Sequence, residues 1–222
     1  MILNLLLFLF FEIFCNLIQQ TPEFKGGQRN LTMFISHNLI YPEYAKQNCL
    51  QGTVSVSFKL TKEGRIYSSS IHKGLGIDLD DEALRIVRLT RGKWIVPSTH
   101  DTSAFLILPV NFSLKEYECE EVTITTISEA IAAYKAREGL TKVIYNFYDI
   151  IYPKGTYSKS EESSIQNLKS QLGYDEKYIT SLLKTAERKI KQKDTESACE
   201  DFHIIRKLGS DKADKLIEKN CK

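Results

Sequence analysis

Hydrophobic and polar residues alternate strictly over residues 52–60, where the sequence reads GTVSVSFKL. This period of two predicts a β-strand with one buried face. The next residues, TKEG, predict a turn in which Gly64 adopts a positive φ, and RIYSSSIHKG predicts the returning strand. A hairpin of two strands is only marginally stable in water, so another element must cover its apolar face, which carries Val54, Val56, Phe58 and Leu60.

The covering element is predicted in DLDDEALRIVRLTRGKW, residues 78–94. Four apolar residues fall on one stripe at helical spacing: Leu79, Ala83, Leu84 and Val87. Asp78 or Asp80 is predicted to cap this helix. The basic residues are predicted to lie outward or toward its C-terminal end: Arg85, Arg88 and Arg91. The acidic residues also fit a paired-carboxylate catalytic site, but helix capping accounts for them more simply.

A third strand is predicted from Ser103 to Phe112, within SAFLILPVNFSL. Its residues alternate between two faces, with Phe105, Ile107, Pro109 and Asn111 on one and Leu106, Leu108, Val110 and Phe112 on the other. Pro109 has no N–H, which confines it to an edge strand or to a position facing away from the hydrogen-bonded ladder. We therefore predict that part of one edge of this strand is free, which is an aggregation hazard unless the edge serves a partner.

After Lys115 the apolar spacing becomes helical: residues 126–153 predict a helix that opens with a capping box from Thr126 to Glu129. Four further helices are predicted within residues 158–173, 175–194, 195–209 and 210–222. No Pro-rich or Gly-rich linker separates the two parts, and KEYECEEVT is the expected boundary. The predicted fold class is therefore α+β, with a small antiparallel sheet covered by helices, followed by a small all-α domain over residues 126–222.

The N-terminal sequence MILNLLLFLFFEIFCNLI is an almost unbroken apolar run. It predicts a signal peptide or an N-terminal membrane anchor over residues 1–20, with Cys15 as an alternative site of lipid attachment. No second apolar run of this length follows. The rest of the chain is therefore expected to lie outside the cytoplasm, either secreted or anchored.

The charge balance, 30 Lys and Arg against 28 Asp and Glu, argues against a nucleic-acid partner. Four cysteines would lie in an oxidising compartment and permit three pairings, among which the sequence does not choose: Cys49, Cys119, Cys199 and Cys221. The chain contains no C-x-x-C, and its four histidines are scattered, so no metal site and no cofactor are predicted. Because the G-x-S-x-G, H-E-x-x-H, P-loop and G-x-G-x-x-G motifs are also lacking, no enzymatic activity is predicted.

Several motifs occur in a fixed order over residues 23–114: Tyr41-Pro42 ahead of a short polar helix, QGTVSVSF, the turn at Gly64, DEAL followed by Trp94, and LPVNF. As a set they resemble the TonB C-terminal domain family. The resemblance implies a periplasmic or cell-envelope domain that binds outer-membrane transporters by strand addition, with a role in TonB-dependent transport. It places the partner-binding residues at Tyr41, Pro42 and the residues just ahead of them, and on the closing strand at Ser103, Phe105, Ile107, Pro109 and Asn111. A homodimer through the same sheet edge is the other expected use of this strand.

Energy transducers of this family carry a long proline-rich spacer, whereas only Pro22 lies between the apolar run and the domain. Residues 1–20 also lack the histidine with which the family's membrane helix meets its inner-membrane motor. The sequence therefore favours an interaction module. A full membrane-anchored energy transducer, attached to the inner membrane, and a secreted helical-repeat scaffold without a transport role are the alternatives.

The last part of the chain resembles a tetratricopeptide-like helical repeat, with Ala198, Phe202 and Ala213 where packing residues recur. Cys199 and Cys221 belong to adjacent predicted helices, and we expect them to form a disulfide. The alternative is a pair of buried free thiols.

Overall fold

The computed structural model describes residues 21–115, Cys119 and residues 124–221. The predicted signal peptide or anchor, residues 1–20, lies outside these residues. We call residues 21–115 the sheet half and residues 124–221 the helical half. The fold class predicted from the sequence is confirmed: an α+β arrangement with small antiparallel sheets is followed by a part made of helices.

The strands are β1 (Glu23–Phe24), β2 (Gly52–Leu60), β3 (Ile66–Lys73), β4 (Trp94–Ile95) and β5 (Leu106–Phe112). The helices of the sheet half are α1 (Gly27–Asn38), α2 (Glu43–Gln47) and α3 (Asp78–Leu89). Those of the helical half are α4 (Ile124–Asn146), α5 (Lys159–Gln171), α6 (Glu176–Lys191), α7 (Thr195–Lys207) and α8 (Asp214–Asn220). A π-helical turn (Phe147–Ile151) and a 3-10 turn (Tyr152–Lys154) continue α4.

The main sheet has the strand order β3-β2-β5, and both pairings are antiparallel. The alternation in β2 gives the predicted result, since Val54, Val56, Phe58 and Leu60 are at most 1% exposed. Gly64 has a φ of 75° in the β2–β3 turn, and a Cβ there would lie 2.3 Å from the backbone oxygen of Trp94. The turn therefore needs glycine both for its conformation and for this close approach.

Helix α3 covers the sheet as predicted, but three details of the prediction are wrong. Neither Asp78 nor Asp80 is the N-cap, because Ile77 occupies that position and Asp80 instead accepts hydrogen bonds from the backbone N–H groups of Leu75 and Gly76, both at 2.8 Å. The helix ends at Leu89 rather than reaching residue 94, and Trp94 lies in β4. Arg85 faces inward and is 6% exposed.

The long helix α4 contributes to both hydrophobic cores of the protein. Its N-terminal part packs through Ile127, Ala130, Ile131 and Tyr134 against the core of the sheet half. Further along, Ile144 belongs to the core of the helical half, together with Phe147 in the π-helical turn. Tyr44 also donates a hydrogen bond from its hydroxyl to the backbone oxygen of Ala130, at 2.7 Å. The two halves are therefore joined by continuous packing.

Two disulfides close loops in the chain. Cys199 is bonded to Cys221, the pair expected from the sequence, and this link connects α7 to the residue after α8. Cys49 is bonded to Cys119, which ties the turn between α2 and β2 to the segment ahead of α4. The structure therefore has one of the three pairings that these four cysteines permit. Its two links have sequence separations of 70 residues (Cys49–Cys119) and 22 residues (Cys199–Cys221).

Candidate functional site

Strand β5 lies at an edge of the main sheet. It pairs with β2 from Phe58 opposite Leu106 to Gly52 opposite Phe112, and no described strand pairs with its other side. Pro109 lies opposite Ser55 within this pairing. Proline is tolerated on such a strand because an edge strand needs only one side of its backbone for the ladder.

The face of the sheet that α3 does not cover is open to solvent. Its outer column is formed by Phe105, which directly precedes β5, and by Ile107, Pro109 and Asn111 of β5. Phe105 is 61% and Ile107 is 52% exposed. The next column belongs to β2. Its side chains contact this outer column twice, since Lys59 Nζ lies 4.2 Å from the ring centroid of Phe105 and Thr53 donates a hydrogen bond to Asn111. An apolar surface thus lies directly beside the free edge.

The predicted strand start at Ser103 is wrong, because β5 begins at Leu106. Ser103 lies in a turn, where its backbone N–H and its hydroxyl both donate hydrogen bonds to the Asp101 carboxylate at 2.8 Å. These bonds lower the pKa of Asp101. Ala104 closes the turn with a backbone hydrogen bond to the oxygen of Asp101 at 3.0 Å. Ser103 and Phe105 therefore precede the paired strand, while Ile107, Pro109 and Asn111 belong to it.

Tyr41 lies on the helix-covered side of the sheet. Its ring packs edge-on against Phe112, with 5.7 Å between the centroids, and its hydroxyl donates a hydrogen bond to the backbone oxygen of Leu50 at 2.6 Å. Burial raises the pKa of Tyr41 to about 12, and the charge of Asp78 adds to the shift. Pro42 follows as the N-cap of α2. Phe112 therefore links Tyr41 to the end of β5, while the outward side chains of β5 lie on the opposite face of the sheet.

The backbone just ahead of Tyr41 is held by side chains of α3, α6 and the residue after α6. The oxygen of Asn38 accepts hydrogen bonds from Arg85 at 2.8 Å and from Gln192 at 3.0 Å. Arg188 donates to the oxygen of Leu39 at 3.2 Å, and the N–H of Ile40 donates to Glu82 at 2.6 Å. The helical half thus occupies backbone groups that the family resemblance assigns to partner binding.

Arg85 is the centre of this contact, and its inward position was not predicted from the sequence. Its guanidinium forms an ion pair with Glu82 at 2.7 Å and another with Asp194 of the helical half at 3.0 Å. The spacing of Glu82 and Arg85 within α3 signals the first ion pair. Nothing in the sequence signals the second, since Asp194 lies 109 residues away.

A cleft of about 800 Å³ lies between the two halves. The sheet half supplies Tyr41, Pro42, Tyr44 and the outer side of α3 to its walls, and the helical half supplies residues of α4, α6 and α7. Tyr44 and Tyr134 face each other across the two halves, with 5.0 Å between their ring centroids. The predicted residues Tyr41 and Pro42 therefore line this cleft rather than the open face of the sheet.

Residues 37–114 match the family model described as Gram-negative bacterial TonB protein C-terminal. This segment is a TonB C-terminal domain. Domains of this family are non-catalytic interaction domains of the cell envelope, and the family resemblance predicted from the sequence is confirmed for these residues. The match begins at residue 37 rather than at residue 23, and the helical half lies outside it.

No curated protein and no solved structure is similar enough to this chain to count as a match. Within the part of the chain that the structure describes, none of the helices is both long enough and apolar enough to span a membrane.

Proposed function

We propose that this chain is a cell-envelope interaction module that binds an extended segment of a protein partner by strand addition at the free edge of β5. The supporting observation is this edge, which lies next to exposed apolar side chains in a TonB C-terminal domain. The proposed partner is an outer-membrane transporter, and the proposed role is in TonB-dependent transport.

The position of Pro109 indicates which backbone groups the edge offers. The ladder to β2 stays complete if the backbone groups of residue 109 point toward the free edge. Residues two apart in an antiparallel strand direct their backbone groups to the same side. Ile107 and Asn111 would then each offer an N–H and a C=O to the incoming strand, and Pro109 would offer only its C=O.

The side chains of the incoming strand would contact the exposed outer column beside the free edge. Those on the open face would lie beside Phe105, Ile107 and Pro109, so we expect apolar side chains at alternate positions of the partner segment. Main-chain hydrogen bonds are expected to supply most of the affinity, and the exposed apolar column is expected to select the segment.

Site-specific photo-crosslinking tests this proposal in the full chain. A photoreactive residue at Ile107 is expected to capture an outer-membrane transporter from envelope extract. The matched control is the same residue at Lys184, an exposed position on α6. A peptide covering the captured segment should then lose binding when proline blocks its N–H groups at alternate positions.

Other results would contradict the proposal. Capture through position 184 alone would favour a scaffold in which the tetratricopeptide-like helical half, proposed as a separate domain, does the binding. A peptide that is sensitive to side-chain deletion but insensitive to backbone blocking would exclude strand addition. Capture of a second copy through Ile107 alone would assign the edge to a homodimer. The intact mass of the mature protein tests the energy-transducer alternative, which requires residues 1–20 to be retained.

A further inference from the structure

Positive charge is concentrated at the end of the sheet half where the described chain begins. We call residues 23–29, 62–65 and 91–95 the basic end. These segments hold six Lys or Arg residues against two Glu residues, whereas the whole chain has 30 Lys or Arg against 28 Asp or Glu. All six cations are exposed: Lys25, Arg29, Lys62, Arg65, Arg91 and Lys93. The balanced charge of the whole chain therefore hides a local positive excess.

Backbone hydrogen bonds bring the three segments of the basic end together. Strand β1 pairs with β4, and the pairing continues where the N–H of Lys25 donates to the oxygen of Lys93 at 2.8 Å. The N–H of Gly92 donates to the oxygen of Gly64 at 2.8 Å, which holds the β2–β3 turn beside them. Cations that are far apart in the sequence thus become neighbours in the fold.

Two of these cations lie side by side. Phe24 and Trp94 are buried, so the residues that alternate with them along the β1–β4 ribbon point outward, among them Lys25 and Lys93. The Nζ of Lys25 donates to the oxygen of Gly92 at 2.8 Å, and the Nζ of Lys93 lies 5.2 Å from the ring centroid of Phe34.

The cations of the basic end lack carboxylate partners. The ion pairs found among the described residues include none of the six. Like charges on neighbouring strands repel each other, and a bound anion removes this repulsion. The basic end is therefore suited to an anionic partner.

Exposed apolar side chains lie among these cations. Ile95 shares the outward side of the ribbon with Lys93 and is 57% exposed. Met33 stands four residues after Arg29, on the same side of α1, and is 53% exposed. Proteins that bind at the surface of an anionic membrane combine these two features, because cations meet the headgroups while apolar side chains enter the interface.

The course of the chain favours a membrane over an acidic protein as the partner. The apolar run of the N-terminal sequence ends at Ile18, and four residues separate it from β1. A link of four residues spans at most about 14 Å. If the run anchors the chain, as one sequence-based prediction has it, the basic end is the part of the described chain that it would hold nearest the membrane.

We propose that the basic end binds the surface of a membrane that contains anionic phospholipids. Lys25 and Lys93 would contact headgroup phosphates, and Met33 and Ile95 would enter the interface. This inference does not depend on strand addition at the edge of β5.

Co-sedimentation of the full chain with lipid vesicles tests the inference. The two probes are vesicles of phosphatidylcholine alone and vesicles of phosphatidylcholine and phosphatidylglycerol in equal amounts. Residues 1–20 contain no Lys or Arg, so they are expected to bind both kinds of vesicle alike. A preference for the anionic vesicles that weakens as salt is added would therefore report the basic end.

Matched double variants locate the binding. Lys25→Gln with Lys93→Gln is expected to weaken partition onto the anionic vesicles roughly tenfold or more. Lys177→Gln with Lys184→Gln is the control, because it removes the same charge from exposed positions on α6. It should weaken partition by less than about twofold. Circular dichroism checks that both variants are folded.

A photoreactive residue at Ile95 gives a second measurement in a chain that keeps all its charges. It is expected to crosslink to phospholipid, whereas the same residue at Lys184 should not. The inference is overturned if the full chain shows no preference for anionic vesicles, or if the two double variants lose binding alike. Capture of a protein but no lipid through Ile95 would assign the basic end to an acidic protein partner and would also overturn it.

Discussion

Asp78 stands in the first turn of α3, where the helix dipole favours a negative charge, and yet its pKa is raised to about 6. Burial outweighs the dipole, since the Oδ1 atom of Asp78 is buried and has no hydrogen-bond partner among the described residues. The sequence placed Asp78 correctly near the start of a helix. It could not show the burial of this carboxyl, because residues that line the same cleft, such as Tyr44 and Tyr134, are distant from Asp78 in the chain.

Asp78→Asn is expected to raise the free energy of unfolding, because it removes a charge that is destabilised by burial. Folding raises the pKa of the carboxyl from its ordinary value near 4, so the charge destabilises the folded protein above pH about 6 and has no effect below pH about 4. Asparagine should therefore stabilise the fold by about 1–2 kcal/mol at pH 8, with a gain that shrinks between pH 6 and pH 4. Urea unfolding at several pH values measures it. A gain independent of pH would show that burial of the charge is not its cause.

At the scale of elements, the sequence predicts which segments form strands better than it predicts where those strands begin and end. The alternation in β2 and the proline in β5 are local signals, and both correspond to the observed positions in the sheet. Helix α1 (Gly27–Asn38) was not predicted from its pattern, since only Leu31 among its residues is buried. The strand β5 begins at Leu106 rather than at the predicted Ser103, because Asp101 accepts hydrogen bonds from Ser103 in a turn. The alternation of the sequence does not reveal this turn.

The two disulfides are expected to contribute unequally to the free energy of unfolding. Each link restricts the unfolded chain, and the restriction grows with the number of residues enclosed. Replacing Cys199 and Cys221 by serine should lower the free energy of unfolding by about 3 kcal/mol, and replacing Cys49 and Cys119 by about 4 kcal/mol, because the links span 22 and 70 residues. Urea unfolding of the two double variants gives both values. Equal or reversed losses would show that native contacts, rather than the loops, dominate.

At the scale of the whole molecule, Arg85 and helix α4 make the contacts that hold the sheet half and the helical half together. Arg85 contacts Glu82, Asn38, Gln192 and Asp194 and is 6% exposed. A buried charge with all its partners in place is costly to disrupt, since removing it leaves the opposite charges buried and unpaired.

Arg85→Met is therefore expected to lower the free energy of unfolding by about 3–5 kcal/mol. Arg88→Met is the matched control on the same helix, because Arg88 is exposed and, among the described residues, donates a hydrogen bond only to the hydroxyl of Ser69. It should change stability by less than about 1 kcal/mol. Chemical denaturation of both variants provides the comparison. Similar losses in the two would mean that the contact between the halves does not depend on Arg85.

Local patterns in the chain were enough to define the fold class, the hairpin with its apolar face, the helix that covers it and the edge position of Pro109. These features follow from period, turn chemistry and a missing N–H, which act within a few residues of the chain. Three other features emerged only in the folded protein: Arg85 is buried, the backbone from Asn38 to Ile40 is bound by side chains that include those of the helical half, and Asp78 lies among tyrosines. They depend on contacts between residues far apart in the chain, and such contacts leave no periodic signal in the sequence.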